Sequence, residues 1–165
     1  MKQALACLCC LTLASCATTA PRFTISPPSP GWLQAGAIAP DPGPDVRQPL
    51  LRLRHQIGAE ITVEEYRADA EFFGDRPIAE IAAAVQKKLL YDDARISEIR
   101  DRGSILSFDI AFLDAYGFWR GKVAVRKLPG APPDTVFVFT GRWRPADDLL
   151  IGGDFDAVVD TAAVK

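Results

Sequence analysis

The sequence has few of the side chains that build catalytic and metal sites. Its 165 residues include one histidine, His55, and all four cysteines fall within the first 16 residues. A zinc site needs several cysteine or histidine ligands, and a catalytic triad needs partners for its histidine. The residues after Cys16 therefore form no disulfide and no thiolate metal site, and we expect no metal and no cofactor. We interpret His55 as the last residue of an apolar strand face.

An excess of positive charge and a long apolar run are also missing. Lys and Arg number 19 against 21 Asp and Glu, a net charge of −2, so the basic surface that binds nucleic acid is not expected. Adjacent acidic residues such as Asp147 and Asp148 point in different directions and do not form a paired acid/base site. The apolar run Ala4–Ala14 is well short of the ~20 residues that cross a bilayer. These absences favour a protein that is not an enzyme.

The N-terminus has the pattern of an export signal. Lys2 precedes the apolar run, which is typical of a signal peptide over residues 1–15. The segment Leu13-Ala14-Ser15-Cys16 resembles the lipobox of bacterial lipoproteins. This resemblance implies cleavage between Ser15 and Cys16 and a lipid on the Cys16 thiol; a plain signal peptide that ends in cysteine is the alternative. Because Ala17 is not aspartate, the Gram-negative sorting rule implies, for a Gram-negative host, a membrane anchor in the outer membrane that faces the periplasm.

Residues 16–49 are rich in proline. Eight of the 13 prolines lie between Pro21 and Pro49, and proline disfavours helices and central strands. We predict that the lipidated cysteine is followed by an extended tether that contributes little to stability. The apolar residues from Trp32 to Ile38 interrupt the tether and predict a short edge strand near 32–38.

Residues 50–165 show the patterning of one folded domain. Apolar residues alternate with polar ones in two early segments, Leu51–Ile57 and Ile61–Tyr66, and in two later ones, Leu106–Phe112 and Trp119–Val125. Val136–Trp143 is a continuous apolar run. We predict that all five are strands. Because short turns join neighbouring strands, an antiparallel sheet is favoured.

Two segments have helical periodicity instead. Ile78, Ile81, Ala82, Val85 and Leu89 share one face of a predicted helix. Phe155, Val158, Val159 and Ala162 share one face of a second helix, which we expect Asp154 to cap. The fold class that follows is α+β, with an antiparallel sheet packed against two amphipathic helices.

This order of elements is similar to the PsbP and Mog1 superfamily. The opening segment Leu50–Val63 resembles its first hairpin, Ile78–Leu89 its first long helix, and Phe155–Thr161 its closing helix. The resemblance implies a sheet-and-helix sandwich. It also implies a role as an accessory subunit or binding partner, and no site residue is carried over. A cystatin-like or NTF2-like fold is the alternative.

The candidate binding residues are tryptophans flanked by arginines. They are Trp119, Arg120, Arg142, Trp143 and Arg144. Both residue types are enriched where proteins bind one another, so these residues predict a site for a protein partner. The alternative is that the tryptophans fill the core while the arginines are hydrated.

Three functions are compatible with these patterns. The first is a lipid-anchored accessory or protein-binding module of the cell envelope, without catalytic activity, whose envelope partner the sequence does not identify. The second is a carrier of a small apolar ligand, in a cavity lined by Phe108, Phe112, Phe137 and Phe139. The third is a hydrolase that uses carboxylates which the sequence alone does not pair. An apolar pocket would favour the carrier, and a packed core with an exposed binding patch would favour the accessory module.

Overall fold

The computed structural model describes residues 23–25, 29–35, 49–67, 78–91, 94–133 and 135–164. The predicted signal peptide and Cys16 lie outside these residues. Within them the chain is an α+β fold, as predicted. Its helices are α1 (Ile78–Tyr91) and α2 (Asp148–Thr161), the latter preceded by a 3₁₀ turn, Pro145–Asp147. Its strands are β1 (Phe23–Thr24), β2 (Trp32–Gln34), β3 (Leu51–His55), β4 (Glu60–Arg67), β5 (Arg95–Ile96), β6 (Arg100–Asp101), β7 (Ile105–Asp114), β8 (Gly117–Arg126), β9 (Thr135–Trp143) and β10 (Ala163–Val164).

Most of the strands form a single antiparallel sheet. Their order is β2-β3-β4-β9-β8-β7-β5, and β6 also pairs with β7. All of these pairs are antiparallel, as the short connections predict. The β7–β8 hairpin turns at Gly117, whose φ of 116° suits glycine, and the Asp114 carboxylate accepts a hydrogen bond from the Tyr116 backbone N–H at 2.8 Å.

The two helices cover opposite faces of this sheet. Val123 and Val125 of β8 pack in the cluster that contains α1, while the intervening Ala124 packs in the cluster that contains α2. Successive strand residues point to opposite faces, so the sheet has an α1 face and an α2 face. The five predicted apolar residues of α1 all pack on the sheet, which confirms that helix. Burial on both faces also explains why β9 is almost continuously apolar.

Helix α2 begins at Asp148 rather than at Asp154, so the predicted start of the closing helix and the capping role of Asp154 are wrong. The pair Gly152-Gly153, which has low helix propensity, lies inside the helix. Tertiary packing outweighs that propensity, because Ile151 and Phe155 are fully buried against the sheet on either side of the glycines. The predicted apolar stripe is confirmed, because Phe155, Val158 and Val159 are all buried.

Within the proline-rich range 16–49, the structure describes residues 23–25 and 29–35, and both stretches contact the domain. Strand β2 (Trp32–Gln34) lies where the short edge strand near 32–38 was predicted. Strand β1 pairs with β10 in a separate two-stranded sheet, and the Phe23 ring packs 6.1 Å from the Phe137 ring. Strand β2 pairs with β3 at the edge of the main sheet. Proline excludes helices but permits edge strands, and the apolar side chains between the prolines find sites on the domain.

The buried carboxylate of Asp154 in α2 forms hydrogen bonds with β2 and with the residues before it. Asp154 accepts hydrogen bonds from the Trp32 indole Nε1 at 2.8 Å and from the Ser29 hydroxyl at 2.6 Å. His55 is also buried, with its ring 5.2 Å from the Trp32 ring and its Nε2 3.3 Å from the Pro30 carbonyl oxygen. The histidine therefore contacts the segment that covers the sheet edge.

Candidate functional site

The sheet separates the arginine–tryptophan set into two groups. Arg120 pairs with Trp143 across β8 and β9, and both lie on the α2 face. Trp119, Arg142 and Arg144 lie on the α1 face, because adjacent strand residues alternate. Trp143 is fully buried among the residues under α2, and its indole Nε1 donates to the Asp148 carboxylate at 2.8 Å. Trp143 is therefore a core residue.

Trp119 is covered by arginine side chains. The guanidinium carbon of Arg144 lies 3.8 Å from the centroid of the indole, and that of Arg142 lies 5.5 Å away. This is the geometry of a cation–π contact. Arg144 also donates to the carbonyl oxygens of Tyr116 at 2.7 Å and Phe118 at 3.2 Å. The indole is thus buried, and Arg144 holds the β7–β8 turn in place.

Arg142 is also part of an ion-pair network. Its Nη2 lies 2.8 Å from one carboxylate oxygen of Glu60, while Nε of Arg52 lies 2.7 Å from the other. Glu60 is buried, so its charge is balanced by two guanidinium groups. Trp119 and Trp143 are both buried. The exposed side chains of the predicted binding residues are therefore arginines and not tryptophans.

Five of the eight large apolar side chains that are exposed among the described residues lie at one end of the molecule, and we call this surface the apolar end. Its members, between 47% and 99% exposed, are Leu113, Tyr116, Phe118, Leu149 and Leu150. Leu113 and Phe118 are directly paired in the β7–β8 hairpin. The two leucines open α2, and the preceding 3₁₀ turn packs against β8. The hairpin and the start of α2 therefore meet at this end.

The apolar end was not among the residues singled out from the sequence. Leu149 and Leu150 precede Asp154, where the closing helix was predicted to begin, so the prediction does not place them in that helix. Their exposure depends on α2 beginning at Asp148, which the local sequence did not predict. Contiguous exposed apolar residues on a folded domain commonly mark a protein-binding surface.

A cavity with a charged lining opens beside this end on the α2 face, and we call it the basic cavity. Its volume is about 490 Å³, and its charged lining residues are Arg95, Arg100, Asp109, Arg120, Lys122 and Asp148. None of the four phenylalanines predicted for an apolar ligand cavity lines it. Phe108, Phe137 and Phe139 are fully buried in the packed core, and Phe112 packs at its margin.

Among the described residues, Asp114 and Arg126 have shifted pKa values. The Trp119 side chain, and more weakly the Tyr116 backbone N–H, lower the pKa of the Asp114 carboxyl, since both stabilise its charged form. Burial lowers the pKa of Arg126, and the nearby Asp160 opposes this shift. Arg126 donates a hydrogen bond to the Val159 carbonyl oxygen, at the inner side of α2. Asp114 therefore stabilises the β7–β8 turn, and Arg126 stabilises the packing of α2 on the sheet.

Over the ranges given above, no three His, Cys, Asp or Glu residues are placed to hold a metal ion. In the same ranges, neither helix is long and apolar enough to span a membrane.

Comparison with known proteins identifies the fold. No protein-family model matches the sequence, and no curated protein matches it. Among solved structures, the chain is similar to the cyanobacterial PsbP (CyanoP) of Synechocystis, with a TM-score of 0.52 and 12% identity over 93% of this chain and 99% of that one. It is also similar to LpqN of Mycobacterium tuberculosis, with a TM-score of 0.54 and 8% identity over 88% of this chain and 84% of that one. The fold of this chain is therefore PsbP-like.

Proposed function

We propose that this protein is a lipid-anchored, non-catalytic accessory module of the cell envelope that binds another envelope protein through its apolar end. The observation that carries the proposal is the exposure of five apolar side chains on two elements that are firmly packed. Arg144 ties the hairpin backbone to Trp119, and the Asp148 carboxylate ties the start of α2 to Trp143. A rigid apolar surface loses little conformational entropy when a partner covers it.

The fold and the packed core support this function over the carrier. LpqN, with a similar fold, is involved in cell envelope biogenesis, which supports an envelope role for this chain. The phenylalanines that would have lined an apolar cavity are used in packing the sheet against the helices. An apolar ligand would have to displace those rings, whereas a protein partner needs only the surface that is already exposed.

The proposed anchor depends on Cys16. Replacing Cys16 by serine removes the thiol that the lipobox resemblance assigns to lipid attachment, so we expect the variant to remain an unprocessed precursor. Metabolic labelling with a palmitate analogue and separation of inner and outer membranes would measure this, and the unchanged chain should be labelled and recovered with the outer membrane. A serine variant that is still labelled and processed would contradict the proposed anchor.

The partner surface can be tested by site-specific photo-crosslinking in living cells. Leu149 is 99% exposed, so a photo-reactive amino acid there leaves the core intact. We expect a crosslinked adduct with one envelope protein from position 149. The matched control is Leu33 in β2, which is 71% exposed at the far edge of the sheet and should give no such adduct.

A second substitution makes this test specific. Phe118→Ser, at a half-exposed position of the same surface, should reduce the adduct from position 149 at least severalfold while the melting temperature changes little. Equal adducts from positions 33 and 149 would contradict a site at the apolar end. Adducts formed only between two copies of this chain would show self-association instead of binding to another protein.

A further inference from the structure

The basic cavity brings together four cations from three strands, β5, β6 and β8. One row of cross-strand neighbours on the α2 face begins at Arg95 of β5, which pairs with Ala111 of β7. Ala111 pairs in turn with Arg120 of β8. Arg120 pairs with Trp143 of β9. The small side chain of Ala111 leaves open space between the two arginines of this row.

The next row along the same face adds two more cations. Lys122 of β8 pairs with Asp109 of β7, and the Arg100 Nη2 reaches the Asp109 carboxylate at 2.6 Å from β6. The cations of the two rows therefore line the same cavity.

The charges of this lining do not balance. Four cations face two carboxylates, Asp109 and Asp148, in a chain whose net charge is −2. Arg100 pairs with Asp109, Arg120 with Asp148 at 3.2 Å, and Lys122 with Asp156 outside the lining at 2.8 Å. Arg95 makes no ion pair with any of the residues that the structure describes. The cavity therefore has positive charge available for an anionic ligand.

The position of Asp148 shows how an anion is held at this site. One of its carboxylate oxygens accepts from the Trp143 indole and the other from Arg120. An added anion would meet Arg120 from the open side, where that side chain is 54% exposed, and would meet Arg95 across Ala111. The arginine fork matches oxyanions well, and a phosphate offers more oxygens to several cations than a carboxylate does.

We infer that the basic cavity binds a phosphate group, carried either by a lipid head group or by a soluble phosphate ester. A volume of about 490 Å³ is in the range of small-molecule sites. The inference goes beyond the proposed function, because phosphate binding at the cavity does not require a protein at the apolar end. The two possible sources share the same chemistry and differ only in the apolar chains that accompany the phosphate.

The test is calorimetric titration of the purified full chain with two soluble probes at low ionic strength. The probes are glycerol 1-phosphate and monomeric dihexanoylphosphatidylglycerol. We expect Arg95→Ala to weaken phosphate binding about tenfold, because it removes the cavity cation that pairs with no carboxylate among the described residues. Asp148→Asn should strengthen binding, because it removes a competing negative charge. The matched control is Arg54→Ala, an exposed arginine on the α1 face, which should leave the affinity unchanged.

The possible results distinguish a soluble phosphate ester from a lipid head group, and both of these from a cavity that binds no phosphate. Similar affinity for both probes would assign the site to a soluble ester, while a lipid probe that binds more than about tenfold tighter would assign it to a head group. Absence of binding by either probe, or an equal loss in Arg95→Ala and Arg54→Ala, would overturn the inference. Unchanged melting temperatures of the arginine variants would show that the fold is intact.

Discussion

Replacing Phe155 by alanine is expected to lower the free energy of unfolding by about 3–5 kcal/mol, the range for a buried phenylalanine. Phe155 is 1% exposed, and its ring lies 6.2 Å from that of Trp143. It also fills the space above Gly141, where an added Cβ would lie 2.6 Å from Phe155 Cδ2. A domain of this size has only about 5–15 kcal/mol of stability, so equilibrium unfolding in urea should show a large shift.

Two further substitutions in α2 make this prediction specific to the buried stripe. Val158→Asp should cost more than Phe155→Ala, because it places a charge without a partner at a fully buried position. Asp156→Ala should cost less than about 1 kcal/mol, because this carboxylate is 40% exposed and loses only its ion pair with Lys122. If Asp156→Ala were as damaging as Phe155→Ala, the described packing of α2 would be wrong.

Replacing Asp154 by alanine is expected to cost about 1.5–3 kcal/mol, the usual worth of hydrogen bonds to a charged group. The substitution leaves the buried Trp32 indole N–H without its acceptor and releases the Ser29 hydroxyl. Urea unfolding measures the loss. Asp160→Ala, an exposed carboxylate on the same helix, is the matched control; it loses only its interaction with Arg126 and should cost less than about 1 kcal/mol.

A double-mutant cycle isolates the contact between Asp154 and Trp32. In a Trp32→Phe background, Asp154→Ala should cost clearly less than in the unchanged chain, because no indole N–H is left unsatisfied. An equal cost in the two backgrounds would show that the indole contact contributes nothing. In that case Asp154 would stabilise α2 by other means.

Periodicity in the sequence predicted the elements whose packing is repeated along a strand or a helix. The alternation in β7 and β8 and the stripe of α1 each reflect a continuous buried face, so a single segment contains enough information. The continuous apolar run of β9 was assigned correctly for a different reason, because helices cover both of its faces.

Features that depend on residues far apart in the sequence could not be predicted from the pattern of a single segment. The start of α2 depends on burial of Ile151 and Phe155, which outweighs the preference of the two glycines for a loop. The site of Asp154 depends on Trp32, which lies 122 positions away. The basic cavity likewise unites Arg95, Arg100 and Arg120, whose spacing in the sequence carries no recognisable motif.

The pairing of β1 with β10 also sets an order of events during folding. Thr24 and Ala163 are 139 positions apart, so β1 cannot pair with β10 until residues 163 and 164 have been synthesised. Closing so long a loop is entropically costly unless the main sheet has already brought its ends together. We therefore expect the segment around Phe23 to dock last, after the sheet and α2 have formed the surface that receives its ring.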